Sequence, residues 1–379
     1  MMLLFLALGA ACGAPADSPG IDAGPADDGG TADAGALEDA ALTDASLDDA
    51  SLDDAGPVAA GNRRFGIEVD EPAGFDHGTE LAKAVAIGSS AAQITFAWNT
   101  LEPTAGERDL DFLAFAMDYY RTRGVTVVLS IPTLDTVEKM FPADLMALPV
   151  DDATVRARFA SLLDDVLALS QAELTHLVIG NEVNIYLGAR PQSEWDAYGA
   201  FVAAAVAHVE AARPDIDVGV SVSFGGLPDP RLTAMTATTD VRYVTYYFIG
   251  NEFGGTPADN LTDDFATMLA YAGDQPLVLK EYGYPSGAAT GGTEAGQADF
   301  IRETFAVWDA HADRIPFLMF SIMFDRNRAT YCEPTAAYYG FPGDESFIQF
   351  LCTLGLRTYD DQPKPAWTEL AAQAAARGF

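Results

Sequence analysis

LTHLVIGNEVNIY, Leu174–Tyr186, is the stretch from which the rest of the chain can be read. The apolar run Leu177-Val178-Ile179 ends in Gly180, and Asn181 and Glu182 follow at once. A run with no polar alternation is the mark of a parallel strand covered on both faces. A carboxylate is costly inside such a strand. At the C-terminal end of a barrel strand it stands where functional groups gather.

Working outward, seven more segments have the same character: Arg64–Val69, Ala92–Trp98, Val125–Ile131, Asp217–Ser223, Val241–Phe248, Pro276–Tyr282 and Ile315–Phe324. His176–Gly180 is the fourth of the eight. Stretches with apolar residues three and four apart lie between them. One is LDFLAFAMDYYRTRG, closed by Gly124, and another is SEWDAYGAFVAAAVAHVEAARP, stopped by Pro214. Eight strands alternating with helices predict a (β/α)8 TIM barrel. A doubly wound open sheet is the competing arrangement. It often carries a glycine-rich phosphate loop after its first strand, and none is present here.

The chain has 379 residues, with 56 acidic side chains against 21 Lys and Arg, a formal charge of −35. Such a surface repels phosphate backbones and anionic membranes, so nucleic acid is excluded and a neutral substrate is favoured. The start, MMLLFLALGAAC, has a short apolar core, then Gly9-Ala10-Ala11-Cys12. No Lys or Arg precedes that core, and it is at the short end for a signal segment. Residues 1–12 are expected to be a signal peptide whose last four residues resemble a lipoprotein lipobox, with Cys12 lipidated. Residues 13–61 carry twelve acids and no base, and include the repeat ALEDA-ALTDA-SLDDA-SLDDA. Self-repulsion and the lack of a packable face predict a disordered acidic linker. Residues 62–379 then form the barrel. The expected location is the cell envelope, extracytoplasmic and lipid-anchored, at the outer membrane or surface. The anchor is the only expected membrane contact, and the protein is expected to be monomeric. Cys332 and Cys352 are the other cysteines. Outside the cytoplasm they are expected to pair in a disulfide; two buried thiols are the alternative.

The seventh segment runs LVLKEYGYPSG, so Glu281 leaves its strand as Glu182 does. Strands four and seven face each other across a barrel mouth, and two carboxylates on one cleft are what glycoside hydrolysis requires. The motifs point the same way. GNE at Gly180–Glu182 is similar to the acid/base motif of clan A glycoside hydrolases. KEYGYPSG at Lys280–Gly287 resembles the nucleophile segment of plant-type endo-β-1,3-glucanases, with Tyr284 where those have Trp. WNTLEPTAG at Trp98–Gly106 and FSIMFD at Phe320–Asp325 are similar to segments of the same superfamily. VTYYF on strand six resembles the Ser-Tyr-Tyr-Pro of endo-β-1,4-galactanases.

That resemblance implies a retaining O-glycosyl hydrolase acting on a neutral β-linked oligo- or polysaccharide, with Glu182 as acid/base and Glu281 as nucleophile. It implies that Asn181 donates to the sugar 2-hydroxyl and that Tyr247 donates to Glu281. Tyr246 is the alternative donor, because the pleat is not fixed by sequence. Trp98, Tyr284 and Phe320 are candidate sugar contacts; Trp195 is expected to be structural. The superfamily's strand-two Arg is replaced by Gln93. No zinc signature, nucleophile elbow or phosphate loop is present, so no cofactor and no metal are expected. Glu68, Asp70 and Glu71 form a solvated acidic rim, with a calcium site as the alternative. The contrasting functional class is a non-catalytic glycan-binding lipoprotein, in which one of the two glutamates would ordinarily be lost.

Overall fold

The computed structural model describes residues 56–70, 76–249, 253 and 261–379. Cys12, the signal segment, the linker as far as residue 55 and Glu71 lie outside the described residues.

Eight parallel strands form the barrel. They are β1 (Arg64–Ile67), β2 (Ala91–Thr95), β3 (Thr126–Ser130), β4 (Leu174–Val178), β5, β6 (Arg242–Tyr247), β7 (Leu277–Gly283) and β8 (Phe317–Phe320). β5 is in two pieces, Asp217–Gly219 and Ser221–Ser223, joined through Val220. The first piece pairs with β4 and the second with β6. β8 pairs with both β1 and β7, so the sheet returns on itself. Eight helices lie along it: α1 (His77–Ala86), α2 (Asp111–Arg121), α3 (Ala153–Leu169), α4 (Gln192–Ala212), α5 (Pro230–Met235), α6 (Leu261–Ala272), α7 (Glu294–Ala310) and α8 (Pro365–Arg377).

Side chains alternate across each strand, as the pleat requires. Val127, Leu129, Leu177, Leu277, Leu279, Val244 and Tyr246 join the large core beneath the helices. Val128, Val178, Tyr243, Val278, Phe317 and Met319 fill the barrel interior. That interior is tight. A Cβ on Gly66 would lie 2.6 Å from the Met319 Cε, which is why β1 carries glycine there. Most of the strands, β4 and β7 excepted, are shorter than the apolar runs that mark them. β2 stops at Thr95, and Trp98 instead opens a single helical turn, Trp98–Leu101.

Two features were not expected. Residues 56–61, assigned to the linker by composition, lie against the barrel. Ala60 N donates to Arg377 O, Val58 N donates to Asp309, and the buried Arg63 guanidinium reaches Asp309 and the carbonyls of Val58 and Ala59. The second is a cap after β8. It contains the helices Glu333–Tyr338 and Glu345–Cys352 and its own apolar core of Ile322, Ala336, Phe347, Ile348 and Leu351. Cys332 and Cys352 are joined in a disulfide inside this cap. Among the described residues no helix is long and apolar enough to cross a membrane.

Candidate active site

Glu182 leaves β4 with φ 42° and ψ 42°, a left-handed conformation that a side chain rarely adopts. Such backbone is kept where its surroundings over-determine it. Here Glu182 N donates to Ser221 Oγ on β5, and Gly180 gives up its Cβ space to the Tyr198 hydroxyl. The Glu182 carboxylate accepts from Thr245 Oγ1 at 2.5 Å and from Thr136 Oγ1 at 3.3 Å. Burial, reinforced by the charge of Glu281, pushes the carboxyl up to about 7. It therefore keeps its proton until pH rises to about 7.

Glu281 is aimed by a bulge. In the pairing of β7 with β6, Leu279 is opposite Val244 and Glu281 is opposite Thr245, so Lys280 is the extra residue. Two consecutive side chains then turn into the barrel, which a regular strand forbids. Lys280 Nζ donates to Glu281 Oε1 at 2.7 Å, and Tyr247 donates to Oε2 at 2.9 Å. Burial works to raise this carboxyl. The Lys280 ammonium and the Tyr247 hydroxyl outweigh it and hold Glu281 below its ordinary value. Burial and the Glu281 charge keep the Tyr247 phenol well above its own, so it remains a donor.

Asn181 lies between these groups. Its Oδ1 accepts from Ser221 Oγ at 3.0 Å and from Lys280 Nζ at 2.8 Å, and its Nδ2 donates to Asp135 Oδ1 at 3.0 Å. Two donors at one end and an acceptor at the other fix the amide orientation. The Asp135 carboxyl is raised chiefly by burial. Beside them Arg326 donates to Asp70 at 3.1 Å and to the Tyr331 hydroxyl, and lies 3.9 Å from Glu68. Glu68 and Asp70 thus face a partly buried guanidinium and are no solvated rim. Among the described residues no group of three or more His, Cys, Asp or Glu is placed to hold a metal ion.

The alternative donor Tyr246 and the three expected sugar contacts are corrected by the pleat and by burial. Tyr246 points outward, donates to Asp264 and stacks on Tyr282. Phe320 also points outward, between Phe65 and Tyr282. Tyr284 packs against Phe248 and Phe300 beneath α7. Trp98 is 0% exposed, lies against Phe141 and Phe159, and donates its indole N–H to Glu102. A fully enclosed ring offers no face to a ligand. Trp195 is buried under Arg231, as expected of a structural residue.

No protein-family model matches the chain, and no curated protein sequence matches it significantly. Solved structures do match. GH5_18 from Bifidobacterium longum subsp. longum, in complex with Manβ1-4GlcNAc, aligns with a TM-score of 0.61 and 19% identity, over 83% of this chain and 78% of that one. GH5_18 from Streptomyces cattleya, with the same disaccharide, aligns with a TM-score of 0.63 and 18% identity, over 83% and 80%. An exo-β-1,4-mannosidase from Opitutaceae bacterium strain TAV5 gives 0.61 and 14%, over 86% and 62%. This chain shares their barrel fold.

Sequence reasoning missed Lys280, Asp135, Thr136 and Thr245, and the tyrosines of the cap. Lys280 stood next to a candidate catalytic residue, but alternation would have turned one of the two away from the site. Tyr339 lies near enough to Asp135, Glu182 and Glu281 for their charges, after burial itself, to raise its phenol. Nothing in its surrounding sequence marked it.

Proposed function

We propose that this protein is a retaining glycoside hydrolase that cleaves a neutral β-linked glycan. The observation that carries the reading is two partly buried carboxyls at one barrel mouth, Glu182 held by Thr245 and Thr136 and Glu281 by Lys280 and Tyr247, which are tuned in opposite directions: Glu182 is raised and Glu281 is lowered. Double displacement needs that pair, one neutral acid and one anionic nucleophile.

In the first step the Glu281 carboxylate attacks the anomeric carbon. The glycosidic C–O bond breaks as Glu182 gives its proton to the leaving oxygen. In the second, Glu182 takes a proton from water, the water oxygen bonds to the anomeric carbon, and Glu281 leaves as carboxylate. An amide has two N–H groups. Asp135 takes one from Asn181, and the other serves the sugar 2-hydroxyl. The Manβ1-4GlcNAc held by the GH5_18 structures makes β-mannosides the first substrates to try. Export, lipidation at Cys12 and a monomeric state complete the proposal, on the sequence grounds given above.

A panel of neutral β-glycans and aryl β-glycosides tests it. Hydrolysis of at least one, abolished by Glu281→Ala, supports the enzyme. Glu182→Ala should still release a good leaving group, which needs no protonation. Binding without hydrolysis across the panel would favour the glycan-binding alternative.

A further inference from the structure

We propose that Lys280 is a positioning residue that keeps Glu281 anionic, ties it to Asn181, and speeds its departure in the second half of the reaction. The proposal rests on the reading of Glu281 as nucleophile, and one arm of its test is independent of catalysis.

The cation beside the nucleophile stands on β7 and not on β2. Gln93 on β2 is neutral, and its Oε1 is buried without a hydrogen-bond partner. The positive charge beside the nucleophile comes instead from the neighbouring residue on β7, through the bulge that turns both side chains inward. The Lys280 side chain is 2% exposed, so its ammonium is little screened by water. It spends two of its three N–H bonds on Glu281 Oε1 and Asn181 Oδ1. One atom therefore ties the nucleophile to the amide that meets the substrate.

This geometry acts differently on the two steps. When Glu281 attacks, its negative charge is consumed in an ester and Lys280 is left without its partner. When water displaces it, the bond from the anomeric carbon to the Glu281 oxygen breaks, and the electron pair returns to a carboxylate facing the ammonium. The proton of the attacking water goes to Glu182. A fixed cation on that carboxylate lowers the barrier to the second step, where its charge develops. Removing it should slow deglycosylation more than glycosylation.

The test compares wild type with Lys280→Met and Lys280→Arg on an aryl β-glycoside, with thermal melting as the folding control. Lys280→Met should move the acid limb of kcat/KM up by about 1–3 pH units. It should also show a stoichiometric burst of aglycone, with a covalent glycosyl adduct on the protein by intact mass. Lys280→Arg should return the limb toward wild type. A folded Lys280→Met with an unchanged acid limb and no adduct overturns the proposal. If Lys280→Met does not fold, the wild-type limb decides: it should lie below about 4.3, the ordinary glutamate value, and a limb at or above that overturns the proposal. The arm without catalysis is 13C NMR titration of the Glu281 carboxyl, which should move up on replacement of Lys280. That shift in a protein that hydrolyses nothing would sink the glycosidase reading and leave the charge-setting role of Lys280 standing.

Discussion

Thr245 and Tyr247 stand two residues apart on the inner face of β6, and each donates to a different glutamate: Thr245 to Glu182 at 2.5 Å, Tyr247 to Glu281 at 2.9 Å. A strand has a period of two, so one rigid element holds both carboxyls and fixes where they sit relative to each other. This bridge gives a signed prediction. Both hydroxyls favour the ionised form of their partner, so losing either raises that partner. The pH profile of kcat/KM should be a bell. Activity is lost as pH falls through the depressed Glu281 value and as pH rises through about 7, where Glu182 loses its proton. Tyr247→Phe should move the acid limb up and leave the alkaline limb in place. Thr245→Val should move only the alkaline limb, also upward. A hydrogen bond to a charged group is worth about 1.5–3 kcal/mol, so Tyr247→Phe should lower kcat/KM by about 10- to 150-fold. Steady-state kinetics across pH check each limb.

The cap makes a separate prediction. The Cys332–Cys352 disulfide closes 20 residues of chain. Loop-closure entropy assigns such a crosslink about 3 kcal/mol of stability. Cys332→Ser with Cys352→Ser should therefore melt at lower temperature than the oxidised protein, with a similar loss on adding reductant to wild type. Because the cap carries Tyr331 and Tyr339 beside the site, KM should rise more than kcat falls. Unchanged melting and unchanged KM would show that the cap holds without its crosslink.

A third prediction concerns the start of the barrel. Asp309 accepts from Arg63 and Arg377 together, and both guanidinium groups are buried. Burial works to raise Asp309, but its bonds to Arg377, to Val58 N and to Arg63 hold it below its ordinary value. Its contribution to stability is thus present above the ordinary aspartate range and is lost as pH falls through the depressed value. Asp309→Ala leaves two buried cations unpaired and should cost about 3–5 kcal/mol at neutral pH. Deleting residues 1–55 should leave stability unchanged, while deleting 1–63 should lower it. Denaturant unfolding of the three proteins decides the matter.

The eight strands and the two glutamates were legible because parallel barrel strands are covered on both faces and announce themselves as apolar runs. A charge at the end of such a run has few structural uses. The pleat was not legible. Tyr246 and Tyr247 were equivalent until the partner strands placed Val244 and Tyr246 under the helices and Thr245 and Tyr247 inside. The bulge at Lys280 breaks the alternation that sequence reading relies on. Trp98 looked like a sugar platform because tryptophan serves that role, yet its motif closes a turn around the buried Glu102. Residues 56–61 dock largely through backbone groups, to which composition is blind.

Direct attack by Glu281 on the anomeric carbon, as proposed, would invert the configuration there twice. Proton NMR of the first-formed sugar during hydrolysis of a β-glycoside tests it most directly. Two inversions put the β anomer first, with mutarotation afterwards. Initial formation of the α anomer would mean that water attacks in a single step, and would contradict the role assigned to Glu281.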